Sequence, residues 1–126
     1  MVSYGDYIVF ASQNKSNNNK IAVLYANGGI DDGDIEGIDS EELSKLLSET
    51  RKDSSIKAVV LRINSPGGSA FGAERIWRET SLFKGVKPLV VSMGDYAASG
   101  GYYIATQADS IFSNIVTGKQ IGRAHV

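Results

Sequence analysis

An α/β fold with a mainly parallel sheet is predicted by three features of the sequence. Near-continuous apolar runs occur at residues 21–26, 57–63 and 88–93. Stretches with apolar residues at helical spacing separate them, and glycine-rich turns follow each run. Short apolar runs bounded by turn signals read as strands buried on both faces, and helical crossovers between such strands make them parallel.

Taken in order, Tyr7 to Ala11 suits a short strand, and the asparagine-rich stretch 14–20 suits a polar loop. Residues 21–26 (Ile-Ala-Val-Leu-Tyr-Ala) form the first buried strand, stopped by Asn27-Gly28-Gly29. Asp31, Asp32, Asp34, Glu36 and Asp39 follow, a pattern that departs from a calcium loop because Gly33 and Gly37 are misplaced and no bidentate glutamate closes it. A solvated acidic loop is the reading, with no metal. Asp39 or Ser40 caps a helix whose first turn carries Glu41 and Glu42; Leu43, Leu46 and Leu47 share one face, and the helix runs to about Thr50. The second strand, 57–63, breaks at Asn64-Ser65-Pro66-Gly67-Gly68-Ser69. Ala73, Ile76, Trp77 and Phe83 mark a second helix, with Trp77 placed in the core. The third strand, 88–93, ends in a turn over 94–101; a helix begins near Ser99, and a fourth strand covers 110–116.

Composition narrows the function. The chain has 126 residues and a net charge of −1, which removes the basic signature of a nucleic-acid binder. It has no cysteine and one histidine, so disulfide scaffolds, cysteine nucleophiles and multi-histidine metal sites are excluded. No cofactor motif is present.

In an α/β sheet, ligands sit at the carboxyl ends of the strands, where the turns 66–68 and 98–101 both fall. Glycine lets the backbone approach a substrate closely and leaves its N–H unhindered. Two N–H groups aimed at one point make an oxyanion hole, and a serine at a strand-to-helix turn is exposed there. The commoner roles of such residues are a plain turn for Pro-Gly-Gly and a helix cap for serine. The residues alone therefore yield a candidate acyl-transfer site.

Residues 61–69 (Leu-Arg-Ile-Asn-Ser-Pro-Gly-Gly-Ser) and 91–105 (Val-Ser-Met-Gly-Asp-Tyr-Ala-Ala-Ser-Gly-Gly-Tyr-Tyr-Ile-Ala) resemble the signal peptide peptidase A (protease IV) family. Residues 21–30 fit as well, in the manner of the C-terminal half of the long, two-repeat form. The resemblance runs from about Ile21 to Gly118. It implies a ClpP/crotonase-like fold and a serine endopeptidase of the Ser-Lys type that degrades cleaved signal peptides. Ser99 matches the nucleophile, and Gly100 with one of Gly67 and Gly68 matches the oxyanion donors. It further implies apolar substrates, homo-oligomers, and an inner-membrane location in the bacterial envelope, with anchoring parts outside this chain.

Serine needs a base, and no lysine here matches the family's position for it. Lys119 is the one lysine after Ser99, and 119–126 departs from the family pattern. The expectation is a lead-in segment and polar linker over 1–20, a truncated peptidase-type domain over 21–118, and a non-native tail over 119–126, with a fragment inactive alone. Three alternatives remain at this point. One is a ClpP-like dyad of Ser99 with His125; another is a crotonase-type acyl-CoA enzyme using the same two turns; the third is a non-catalytic assembly fragment.

Overall fold

The structure is a computed structural model that describes residues 2–4, 7–11, 19–31, 33 and 36–120. Strands β1 (Val2–Tyr4), β2 (Tyr7–Ala11) and β3 (Lys20–Asn27) lead into helix α1 (Ser40–Lys52) and strand β4 (Ile56–Ser65). Helix α2 (Ala70–Ser81), strand β5 (Leu89–Ala98), the single turn α3 (Gly100–Tyr103) and strands β6 (Ser110–Phe112) and β7 (Gly118–Gln120) complete the described residues. All the strands join one sheet in the order β1-β2-β3-β4-β5-β6, and β7 also pairs with β5. Pairing is antiparallel through β1, β2 and β3 and parallel from β3 onward.

The helix limits follow from local chemistry. Asp39 caps α1 by accepting from the N–H groups of Glu41 and Glu42, satisfying donors that no helical carbonyl can reach. Ser69 caps α2 through the Gly72 N–H. At the far end of α1 the Lys87 ammonium donates to the carbonyls of Thr50, Asp53 and Ile56 at 2.7–2.8 Å, a cation at the negative end of the helix.

Strands β3 to β6 follow one another across the sheet in chain order. Right-handed crossovers then place all the helices on one face. That face is the core: Leu24, Leu61, Ile63, Leu89 and Val91 are buried with Leu47, Ile76 and Phe83 from the helical layer. Each such side chain contributes on the order of 1.5–3 kcal/mol. The alternate residues, among them Val23, Val60, Arg62, Val90 and Ser92, are only half-buried. Two-sided burial of the strands is thus met on one face, because a monotonic strand order leaves the other without crossovers.

Three other expectations shift. The third strand continues past Met93 to Ala98, since its register with β4 slips between Ile63 and Ser65, and Asn64 and Thr117 bind the bulged backbone at Tyr96 and Gly94. The strand expected over 110–116 stops at Phe112. Asn114 and Thr117 then close a turn on each other, and β7 restarts beside the end of β5. Trp77 is half-buried rather than core: it stacks on Tyr103 at 5.6 Å and donates to the Thr106 hydroxyl.

Candidate active site

Two turns meet at the carboxyl ends of β4 and β5. The first carries Gly67 at φ +98° and Gly68 at φ +150°. The second carries Ser99 at φ +51° and ψ −121°, followed at once by α3. The turns are pressed together: a Cβ on Gly67 would lie 2.8 Å from the Gly100 nitrogen and 2.9 Å from the Ser99 Cβ. Real Cβ contacts do not fall below about 3 Å, so only glycine permits this approach.

Ile30, the residue after the first strand's glycine stop, seats both turns. Its N–H donates to the Gly67 carbonyl, its carbonyl accepts from the Ser69 N–H, and its side chain packs where a Cβ on Gly100 would stand. This role was not singled out in the sequence; the signal was an apolar residue directly after Asn27-Gly28-Gly29. Ser65 supports the first turn by accepting from the Gly67 N–H at 3.1 Å.

An inventory of donors separates the two glycines of the first turn. The Gly67 N–H is spent on Ser65, and Gly67 is buried. The Gly68 N–H has no acceptor among the described residues, and Gly68 is exposed. The Gly100 N–H, at the start of α3, likewise has none. The structure therefore brings two unspent N–H groups to the turns that flank Ser99.

Ser99 is exposed, and its side chain makes no capping bond. Its carbonyl accepts from the N–H groups of Tyr102 and Tyr103. A non-glycine residue held at positive φ costs about 1–3 kcal/mol. At Asp31, also at positive φ, the carboxylate recovers that cost by accepting from the Ser40 N–H and hydroxyl. Ser99 has no such compensation from its side chain.

The lysines stand elsewhere. Lys119 lies on β7 and turns its amine onto the Asn114 carbonyl at 3.3 Å. Lys87 has its pKa lowered, first by burial, but it precedes the opposite end of β5. His125 lies outside the described residues, as do Asp32 and Asp34 of the acidic loop. Of the remaining acids there, Asp31 is tied to Ser40 and Asp39 to the start of α1. Asp95, inside the turn expected over 94–101, is instead an exposed strand residue.

Comparison with known proteins agrees with this architecture. Residues 81–120 match the family model of peptidase family S49. Over 105 residues the chain is 50% identical to protease 4 of Haemophilus influenzae, an alignment that covers 79% of this chain and 17% of that protein. A crystal structure from Acinetobacter baumannii, assigned as an enoyl-CoA hydratase/isomerase, superposes with a TM-score of 0.67 at 16% identity, covering 94% of this chain and 53% of that one. ClpP1 from Listeria monocytogenes superposes with a TM-score of 0.52 at 26% identity, covering 68% and 46%. The chain spans less than a fifth of the length of the protease 4 relatives it matches, 17% and 18%. These likenesses share one α/β fold of the ClpP/crotonase type, and the sequence agreement is with the proteases. The chain belongs to peptidase family S49, a serine-protease family, alongside signal peptide peptidase A and protease 4.

Proposed function

We propose that this chain carries the nucleophile and oxyanion half of a serine endopeptidase site, with Ser99 as nucleophile and the Gly68 and Gly100 N–H groups as oxyanion donors. The observation that carries the reading is the backbone of Ser99. Its positive φ at a strand-to-helix turn leaves the hydroxyl exposed and uncompensated, beside two unspent N–H groups. Between the two glycines of the first turn, Gly68 is favoured because the Gly67 N–H already serves Ser65.

In this mechanism the Ser99 Oγ attacks the scissile carbonyl carbon while its proton passes to a neutral amine. The carbonyl oxygen, now negative, is held by the two N–H groups, each worth about 3–4 kcal/mol in acyl transfer. Collapse breaks the C–N bond, the protonated base returns its proton to the leaving amine, and water later hydrolyses the ester. The base is a lysine held neutral by burial, contributed by sequence outside this chain. Lys119 does not match the family's position for the base, and its amine faces the Asn114 carbonyl.

The substrates are apolar peptides, cleaved signal peptides among them, in keeping with the family. The full-length protein works as a homo-oligomer at the bacterial inner membrane with its catalytic domain outside the cytoplasm. Among the described residues no helix is long and apolar enough to cross a membrane. The reading places anchoring in other parts of that protein.

The test is intact-mass analysis after exposure to a fluorophosphonate, on this chain and on the full-length protein. The expected result is one adduct at Ser99 in the full-length protein, absent from its Ser99→Ala variant, and no adduct on this chain. A full-length protein that stays unlabelled would overturn the assignment. An adduct on this chain would show that it carries its own base.

A further inference from the structure

We propose that Arg62 and the cavity around it form a binding site for a peptide carboxylate, on the sheet face that carries no helix. Arg62 sits in the middle of the parallel sheet, in register with Tyr25 of β3 and Ser92 of β5. It is half-buried, and its guanidinium is fixed in place. One terminal nitrogen donates to the Ser92 hydroxyl oxygen at 2.8 Å and to the Met93 carbonyl at 3.0 Å.

Those two bonds use one corner of the planar fork. Among the described residues, the other terminal nitrogen and Nε have no acceptor and no carboxylate lies within 4 Å of Arg62. A partly buried guanidinium ordinarily has an anion to pair with, because removing the charge from water is costly. Here no described residue fills the partner position, and the cavity beside it holds about 350 Å³. That volume lies in the range of small-ligand sites.

The lining defines the ligand class. A fork anchored at one corner presents its remaining donors in the geometry that a carboxylate meets bidentately. Phe112 and Val116 add an apolar wall, Phe112 64% and Val116 82% exposed, and Met93 borders the cavity only through its backbone carbonyl. Asp95, also on the lining, repels a doubly charged group such as phosphate about twice as strongly as a singly charged one. A singly charged carboxylate next to an apolar side chain fits all three constraints. Its source is either the free C-terminus of a peptide or an acidic side chain.

The site goes beyond the acyl-transfer reading and does not depend on it, so it is tested in the Ser99→Ala chain, where no acylation is possible. The 15N-labelled protein is titrated with Ac-Ala-Leu-Ala-Leu bearing a free C-terminus, with its C-terminal amide, and with the amide of Ac-Ala-Leu-Ala-Glu. Saturable shifts of the Arg62 Nε signal and of the backbone amides of residues 92–95 and 112–117 are expected for the free acid, about tenfold weaker for the first amide. Recovery with the glutamate amide assigns the source to acidic side chains, and no recovery assigns it to the C-terminus. Arg62→Gln should weaken the free-acid interaction by about tenfold, and Arg62→Lys, which keeps the charge and loses the fork, by several-fold. If the glutamine variant does not fold, the lysine variant carries the comparison. Equal binding of the acid and its Leu amide, no saturable shifts at these residues, or unchanged affinity in a folded variant overturns the proposal.

Discussion

Gly67 and Ser99 stand so close that a Cβ on the glycine would come within 2.9 Å of the serine's own Cβ. Residues more than thirty positions apart thus share one small volume, and the backbone atoms around it cannot yield. The Gly100 nitrogen and the Ala98 carbonyl oxygen would lie 2.8 and 2.9 Å from the same added carbon. Gly67→Ala should therefore cost about 3 kcal/mol, from backbone overlap added to strain at φ +98°. Gly85→Ala provides the contrast. It has a similar sign of φ but nothing within 4 Å, and it should cost about 1 kcal/mol. Urea midpoints of the two variants check the difference, and equal losses would contradict the crowding.

Ser99→Gly should stabilise the chain relative to Ser99→Ala by about 1 kcal/mol. Both lack the hydroxyl, but only glycine occupies φ +51° without a steric penalty. Paired thermal melts give the sign directly. An alanine variant as stable as the glycine one would mean that the turn relaxes away from this conformation.

Lys87→Met should destabilise by about 2 kcal/mol, because the ammonium serves the Thr50 and Asp53 carbonyls at the end of α1 and the Ile56 carbonyl at the start of β4, and the methionine can serve none. Lys87→Arg tests the charge against the geometry, since a planar fork does not reproduce three converging donors. Amide exchange of the last turn of α1 should accelerate in the methionine variant. Unchanged exchange there would separate Lys87 from the helix end.

The Tyr103 hydroxyl donates to Glu74 at 2.6 Å, and that bond raises its pKa above the usual 10.0. A folded-state pKa above the unfolded one gives stability that is full below pH 10.0 and lost as pH rises through the folded value. Ultraviolet titration of tyrosinate should show one tyrosine ionising late, and Glu74→Gln should bring it down. The pH dependence of the melting temperature above pH 10 should flatten in the same variant.

The parts of this fold legible in the sequence are those governed by local pattern. The strands at 21–26 and 57–63 and the second helix come from periodicity and are found within a few residues, and capping chemistry narrows the first helix's cap to Asp39 or Ser40, of which Asp39 is the one observed. What was not legible depends on partners distant in the chain. The extension of β5 to Ala98 rests on Asn64 and Thr117, and the separate strand β7 exists because β5 offers it an edge. For the candidate site, the sequence could name Ser99, Gly67, Gly68 and Gly100 together. It could not rank the two glycines of the first turn, since that ranking turns on where the Ser65 hydroxyl points. The open corner of Arg62 was equally hidden: an arginine within an apolar strand says nothing about which of its donors remain free.

The in-order arrangement of β3, β4, β5 and β6 has a consequence for how the chain comes to be folded. Each of β4, β5 and β6 is laid against the strand synthesised just before it, so the nascent chain has its template already exposed for these three. No strand must be inserted between two others, and no early edge has to wait for a late partner on its inner side. The turn holding Ser99 is reached only after β4 is in place to receive β5. The strained serine is then imposed by a preformed surface and has no need to be stable alone.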